Sequence, residues 1–156
     1  MKITITGATG LIGRSLSRKL VERGHEVEAW TRNPAKARPL LPDPCTVTAW
    51  DPERIDPEAL AGTDVVVHLA GENIADKRWS DARKKALQSS RIDSSRALVA
   101  AIGALPAERR PGHLISASAI GIYGDRGDEK LTEDSAAGEG FLPQLCADWE
   151  LSLIHI

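Results

Sequence analysis

The sequence predicts an α/β fold, a parallel sheet doubly wound by helices. Short strand patterns alternate with helical patterns along the 156 residues, and this alternation is typical of parallel sheets with helices on both faces. Val65–Leu69 is nearly all apolar, as a strand covered on both faces should be. The length suits one domain, because domains commonly contain about 100–200 residues.

The first strand and helix are marked by the spacing of apolar residues. Ile3–Thr6 is short, β-branched and followed by a glycine. The next segment carries Ile12, Leu16 and Leu20 at regular steps and stops at Gly24. This pattern predicts an amphipathic helix with a glycine cap.

The next elements follow in the same alternation. Val27–Trp30 and Val47–Trp50 predict the second and third strands. Asp56 followed by Pro57 predicts a short capped helix, which ends at Gly62. Val65–Leu69 is then the fourth strand.

The second half of the chain contains longer helical patterns. An apolar stripe predicts a helix from Ser80 to about Leu105. His113–Ala117 predicts a fifth strand, and a loop rich in Gly, Asp and Glu follows it. A last helix is predicted to start near Phe141.

Composition and charge exclude several classes of partner. Lys and Arg total 20 against 22 Asp and Glu, for a formal net charge of −2, so we expect no nucleic-acid partner and no polybasic membrane anchor. No apolar run approaches the roughly 20 residues that span a bilayer. Met1-Lys2 leads directly into a strand pattern, so we expect no signal peptide. With two cysteines, too few for a disulfide framework, a cytoplasmic location is expected.

A glycine-rich turn joins the first strand to the first helix. In such a turn the first glycine permits the tight bend, the second admits a pyrophosphate and the third lets helix and strand pack closely. Free N–H groups at the helix start favour the phosphate anion. We therefore predict a Rossmann-like, dinucleotide-binding domain, the alternative being an ordinary glycine-rich turn. The predicted cofactor-binding residues are Gly7, Thr9, Gly10, Leu11, Ile12 and Gly13.

The end of the second strand bears on the choice of cofactor. Trp30-Thr31-Arg32-Asn33 contains no acidic residue. A carboxylate at this point would hold a 2′-hydroxyl, whereas an arginine suits a 2′-phosphate. We therefore predict that NADP(H) is favoured over NAD(H) through Arg32, the alternative being a solvated surface arginine.

The glycine turn, Asp51 and Asp64–Gly71 together resemble the extended short-chain dehydrogenase/reductase superfamily. More specific motifs resemble one atypical branch of it, whose members are labelled epimerases or oxidoreductases. These motifs are Leu69-Ala70-Gly71-Glu72, Arg78-Trp79, Ser90-Arg91-Ile92, Ser116-Ala117-Ser118-Ala119 and Asp148-Trp149-Glu150.

The resemblance implies further cofactor-binding residues. Asp51 would lie near the adenine, and Leu69, Ala70 and Gly71 would belong to the site, with the last two lining the nicotinamide ribose. Alternatives remain from the residues themselves. Asp51 precedes a proline and can start a turn, and small residues at a strand end can serve close packing alone.

The catalytic pair that is usual in the superfamily is missing. The resemblance places Ser118 at the family's serine position, but Leu142 and Cys146 stand where the tyrosine and lysine would be. An unperturbed tyrosine, with a pKa of about 10, is a poor base without a nearby cation. We take Ser118 and Tyr123, the only tyrosine, as candidate catalytic residues. The alternative for Tyr123 is a loop residue that closes over the cofactor.

Other polar residues are interpreted as structural. We expect His68 to be a core histidine, Cys146 to be a small buried hydrophobe, and Arg83-Lys84-Lys85 to form a solvated helix face. No spacing of His, Cys, Asp and Glu suggests a metal site.

We expect residues 1–150 to form an incomplete NADP-binding domain, because members of the family place their substrate region mostly after this point. Residues 151–156 depart from the family's alanine-rich continuation and match the translation of a common transposase sequencing adapter. We expect a non-native tail there, the alternative being a genuine apolar helix end.

The resemblance implies an NADP(H)-binding oxidoreductase or epimerase that acts on a small molecule. The alternative is a non-catalytic NADP(H)-binding regulatory or structural protein. The helices over residues 80–105 and from 141 onward resemble those that form dimers in the superfamily, so a homodimer is a further expectation.

Overall fold

The structure is a computed structural model, and it describes residues 1–154. Five strands of this part of the chain form one sheet. The strands are β1 (Lys2–Thr6), β2 (Glu26–Thr31), β3 (Thr46–Ala49), β4 (Val65–His68) and β5 (His113–Ser116). Neighbouring strands run parallel in the spatial order β3-β2-β1-β4-β5. The predicted parallel α/β fold is confirmed, and the strand ends differ from the predicted ones by about a residue.

Helices and short helical turns connect the strands. The α-helices are α1 (Leu11–Glu22), α2 (Pro34–Ala37), α3 (Asp81–Gln88), α4 (Ser94–Ala104) and α5 (Phe141–Leu151). The 3₁₀ turns are Arg38–Leu40, Pro57–Leu60, Ala107–Arg109 and Ile120–Tyr123. Within residues 1–154, no helix is both long enough and apolar enough to cross a membrane.

Apolar side chains pack on both faces of the sheet. Leu16 of α1 packs against a buried cluster that includes Ile5 of β1. Leu98 of α4 belongs to another buried cluster, with Val66 of β4. Because strand side chains alternate between faces, helices cover both sides of the sheet, as a doubly wound fold requires.

The short helix predicted after β3 is present as a 3₁₀ turn. The Asp56 carboxylate accepts a hydrogen bond of 3.1 Å from the N–H of Glu58, and Pro57 begins the turn. Gly62 follows with a positive φ of 76°. The cap and the stop therefore lie where the sequence predicts them.

The helix predicted from Ser80 to about Leu105 is interrupted by a π-helical turn. Ser80 caps α3 by accepting a hydrogen bond of 3.2 Å from the N–H of Arg83. Ser89–Asp93 is then wound as a π-helix before α4 begins at Ser94. Such turns occur often at functional sites. Apolar periodicity over a long helix cannot locate one locally wider turn, so the sequence predicted a uniform helix.

The carboxyl ends of the central strands meet at one edge of the sheet. Thr6 of β1 is in register with Trp30 of β2 and with His68 of β4. The chain moves outward from β1 to β2 and β3, then returns to the other side of β1 for β4. Open α/β sheets bind ligands outside such a reversal of strand order, and this edge carries the candidate site.

Residues after α5 belong to the predicted non-native tail. α5 ends at Leu151, and the buried Ser152 hydroxyl donates to the Trp149 carbonyl at 2.6 Å. The last two tail residues lie outside the described residues, and the non-native origin of the tail stays a prediction.

Candidate functional site

Adjoining cavities open at the carboxyl ends of β1, β2 and β4. One, which we call the glycine-turn cavity, has a volume of about 230 Å³ and lies beneath Gly7, Thr9, Gly10 and Arg32. The next, the α3 cavity, has a volume of about 240 Å³ and includes Glu72 in its wall. Both are lined by Arg32, Trp50, Ala70 and Gly71. Because they share these lining residues, the two cavities form one continuous cleft along this edge of the sheet.

The glycines of the turn have different structural roles. Gly7 has a φ of +71°, and a Cβ there would lie 2.6 Å from the carbonyl carbon of Leu69. A Cβ on Gly13 would lie 2.4 Å from the Gly7 oxygen. At Gly10 a Cβ would meet only that oxygen, at 3.3 Å. The fold itself requires Gly7 and Gly13, whereas the bare backbone of Gly10 keeps the cavity open.

The start of α1 presents unpaired donors beside this cavity. The N–H of Gly10 donates to Gly7 and the N–H of Arg14 donates to Gly10, both at 3.0 Å. The N–H groups of Leu11 and Ile12 have no acceptor among residues 1–154. Both side chains are exposed, so Ile12 does not pack into the core as its place in the apolar stripe suggested. Donors at a helix start suit an anion.

Arg32 lies at the mouth of the cleft and is paired with Glu72. Its Nη1 lies 3.4 Å from Glu72 Oε1, and 74% of its side chain is exposed. The other oxygen of Glu72 accepts from Arg83 Nη1 at 2.9 Å. The hydrogen bond from Arg83 lowers the pKa of Glu72, burial opposes it, and the charge of Arg32 adds to the lowering. Glu72 therefore stays ionised at neutral pH and bridges two arginines.

Arg83 corrects the expectation of a fully solvated face on α3. Only 8% of its side chain is exposed, and its guanidinium also donates to the carbonyl of Asn73. This arginine therefore holds the segment after β4 in place. The charge run Arg83-Lys84-Lys85 did not reveal the burial of Arg83, because three successive residues of a helix point in different directions.

Asp51 forms a turn. Its carboxylate accepts a hydrogen bond of 2.9 Å from the N–H of Glu53. Trp50, Pro52 and Glu53 line the α3 cavity, and Asp51 is absent from that lining within the described residues. The contacts agree with the turn-forming alternative, and a cofactor contact of Asp51 stays a prediction.

His68 is a satisfied core histidine, as predicted. It is fully buried, with Thr6 Oγ1 at 2.7 Å from Nδ1 and Ser94 Oγ at 3.3 Å from Nε2. Burial lowers the pKa of His68 to about 4, so the ring is neutral at pH 7. It links β1, β4 and α4 directly below Leu69 and Ala70.

Another cavity continues from Gly71 toward α5. This α5 cavity has a volume of about 470 Å³ and is lined by Arg91, Ser118, Leu142 and Cys146, among others. The two positions at which the resemblance would place a tyrosine and a lysine, Leu142 and Cys146, therefore line one cavity. Burial raises the pKa of the Cys146 thiol, so Cys146 is a buried neutral group, as predicted.

Ser118 also lines a second cavity, which it shares with Tyr123. Both line a cavity of about 500 Å³ that also contains Glu150. The Ser118 hydroxyl donates a hydrogen bond to the Glu150 carboxylate. In the sequence, Glu150 stood out only as part of the motif Asp148-Trp149-Glu150. Its place one helical turn after Cys146 was the signal that it faces the same region.

Sequence reasoning also missed Arg91, which it used only as part of a motif. Arg91 lies on the π-helical turn and reaches the wall of the α5 cavity. Among residues 1–154, no cluster of His, Cys, Asp and Glu could hold a metal ion.

Comparisons with known proteins find a family model and several relatives that match this chain. The profile of the NAD dependent epimerase/dehydratase family matches residues 3–143. An epimerase family protein of Mycobacterium bovis is 42% identical over 151 residues, which cover 95% of this chain and 46% of that protein. The chain spans about half the length of the curated relatives that it matches.

Solved structures share the fold. A nucleoside-diphosphate sugar epimerase from Corynebacterium glutamicum is 38% identical with a TM-score of 0.78, covering 98% of this chain and 30% of that one. The human epimerase family protein SDR39U1, solved with NADPH, is 29% identical with a TM-score of 0.78. That match covers 98% of this chain and 48% of the human one.

Proposed function

Because this chain belongs to the NAD dependent epimerase/dehydratase family, we propose that it binds NADP(H) in the cleft and supports oxidoreduction or epimerisation of a small molecule. The resemblance to an atypical short-chain dehydrogenase/reductase thus agrees with the family assignment. NADP(H) supplies the hydride donor and acceptor for such chemistry.

One observation carries the proposal: at the reversal of strand order, a cleft meets the bare backbone of Gly10 and the N–H groups of Leu11 and Ile12, which have no acceptor among residues 1–154. These residues fit a pyrophosphate, because Gly10 leaves room for it and the helix start supplies donors and partial positive charge. Arg32 lies at the same cleft, beyond the end of β2.

Arg32 supports the choice of NADP(H). Its pairing with Glu72 is exposed and long, at 3.4 Å, and such a surface ion pair contributes about 0–1 kcal/mol. Arg83 already neutralises Glu72. Arg32 can therefore leave Glu72 and pair with a 2′-phosphate at little cost in free energy. The NADPH of the human relative is consistent with this choice.

NADPH and NADH titrations of the chain test the cofactor assignment. A charge-assisted contact contributes about 1.5–3 kcal/mol, so NADPH should bind roughly tenfold or more tightly than NADH. Arg32→Ala should remove most of this preference. Lys36→Ala, a nearby exposed cation without a side-chain partner within residues 1–154, is the matched control and should retain it. Equal affinity for both nucleotides in the unmodified chain contradicts the assignment.

The residues that could move a proton are Ser118 and Tyr123. They share a cavity with Glu150, which accepts the Ser118 hydrogen bond. We infer that a substrate proton is transferred through Ser118 or Tyr123. Leu142 has no group that can carry a proton, and Cys146 is a buried neutral thiol. The exposed carboxylate of Glu150 offers a place for the proton to go.

Tyr123→Phe tests this catalytic role by removing only a hydroxyl. Panels of carbonyl compounds and nucleotide sugars would first identify turnover. The Phe variant should then lower the rate by about 10²–10⁴ while NADPH affinity is unchanged. Ser118→Ala should have a similar effect.

A second candidate function is non-catalytic NADP(H) binding with a regulatory or structural role. The absence of Tyr and Lys from positions 142 and 146 favours it. Unchanged rates in both Tyr123→Phe and Ser118→Ala, or no turnover on the panels alongside tight NADPH binding, would make it the better description.

A further inference from the structure

Arg91 stands in the wall of the α5 cavity, next to Gly71. Its guanidinium carbon lies 3.3 Å from the point where a Cβ on Gly71 would stand. The same cavity is lined by Leu142 and Cys146, the positions that lack the family's tyrosine and lysine. A cation therefore reaches this region from the π-helical turn and not from α5.

Neutral groups hold the guanidinium in place. Its Nη2 donates to the carbonyl of Glu72 at 2.9 Å, and its Nη1 donates to the carbonyl of Leu87 at 3.2 Å. The Trp149 ring centre lies 5.3 Å from the guanidinium carbon. These contacts fix the orientation of Arg91 without cancelling its charge.

No carboxylate compensates Arg91 within salt-bridge distance in the described part of the chain. The side chain of Glu72 pairs with Arg32 and Arg83, and Glu150 accepts the hydroxyl of Ser118. Burial lowers the pKa of Arg91, yet a guanidinium stays protonated at neutral pH. A full positive charge therefore faces a partly enclosed cavity, where the effective dielectric is lower than in water.

We propose that Arg91 makes this chain bind the reduced cofactor, NADPH, more tightly than the oxidised form, NADP⁺. The proposal rests on the proposed function, in which the pyrophosphate lies at Gly10 and the 2′-phosphate at Arg32 beyond β2. The nicotinamide end then extends the other way, toward Gly71, which lines both the cleft and the α5 cavity. The nicotinamide ring is positively charged in NADP⁺ and neutral in NADPH, whereas the adenosine end is identical in both. Two like charges about 10 Å apart at an effective dielectric constant of about 20 repel enough to change affinity roughly tenfold.

The experiment compares the dissociation constants of NADPH and NADP⁺ for the 156-residue chain at low ionic strength. The unmodified chain should prefer NADPH about tenfold. Arg91→Met keeps an apolar stem of similar length and should bring the ratio close to one. Arg91→Lys keeps the charge and should retain most of the preference.

Arg32→Met is the matched control, because it removes a cation from the end of the cleft where the two forms are identical. It should weaken both forms by the same factor and leave their ratio unchanged. A ratio near one in the unmodified chain overturns the proposal, as does a ratio that persists in a folded Arg91→Met variant. The second outcome would identify Arg91 as a purely structural tether of Glu72.

Circular dichroism on each variant shows whether it is folded. If Arg91→Met unfolds, the ratio in the unmodified chain and its retention in Arg91→Lys decide the matter. Failure of both nucleotides to bind the unmodified chain instead rejects the proposed function on which this inference rests.

Discussion

Gly10 and Gly13 differ in what a side chain would meet, although both belong to the same turn. Gly10 has an ordinary φ of −71°, and a Cβ there would have one neighbour, at 3.3 Å. A Cβ on Gly13 would meet backbone atoms at 2.4 and 2.6 Å. The fold therefore requires a glycine at position 13, whereas the proposed ligand requires one at position 10.

This difference gives a test of the cofactor site at the scale of one residue. Gly10→Val should abolish NADPH binding and leave the circular dichroism spectrum nearly unchanged, because the new side chain would occupy the space proposed for the pyrophosphate. Gly13→Val should instead destabilise the fold. NADPH binding that persists in folded Gly10→Val would show that the cofactor site lies elsewhere.

At the scale of elements, two arginines hold the segment between β4 and α3. Arg83 connects α3 to the Glu72 carboxylate and to the Asn73 carbonyl. Arg91 connects the π-helical turn to the Glu72 carbonyl. The wall of the cleft therefore depends on α3 and on the π-helical turn that follows it.

Arg83→Met should lower the free energy of unfolding by about 1–3 kcal/mol, because it removes charged hydrogen bonds that are mostly shielded from water. Urea denaturation of the chain measures this change. Lys85→Met, on the exposed side of the same helix, is the control and should change stability by no more than about 0.5 kcal/mol. Equal effects of the two substitutions would restore the original interpretation of a solvated face.

At the scale of the whole molecule, His68 makes stability depend on pH. Its folded-state pKa of about 4 lies below the ordinary value of 6.5, so the unfolded chain binds more protons between these values. The stability is therefore fully present above pH 6.5 and is lost as the pH falls toward 4. Glu72, whose pKa is lowered, acts in the same direction but in the more acidic range of carboxylates.

Between pH 7 and pH 5 the free energy of unfolding should fall by about 2 kcal/mol on account of His68. Denaturant titrations at both pH values measure the difference. His68→Gln should be less stable at pH 7 but lose less on acidification, and His113→Gln, at an exposed position, is the matched control. A His68→Gln variant with the same loss would rule out His68 as the cause.

Local sequence patterns were sufficient to predict the strands, the glycine turn and the core role of His68. These features depend on residue spacing and on the apolar character of neighbouring residues. The π-helical turn, the burial of Arg83 and the pairing of Ser118 with Glu150 depend on contacts between distant segments. No local pattern contains them, since Ser118 and Glu150 meet only after β5 and α5 have packed.

The strand order also determines which strand keeps its hydrogen bonds longest as the domain fluctuates. β1 has a partner on each side, whereas β3 and β5 lie at the edges of the described sheet. Local fluctuations can free edge strands while the centre stays paired. The amide hydrogens of β1 should therefore exchange with solvent only when the whole domain unfolds, and the glycine turn extends from this slowest-exchanging strand.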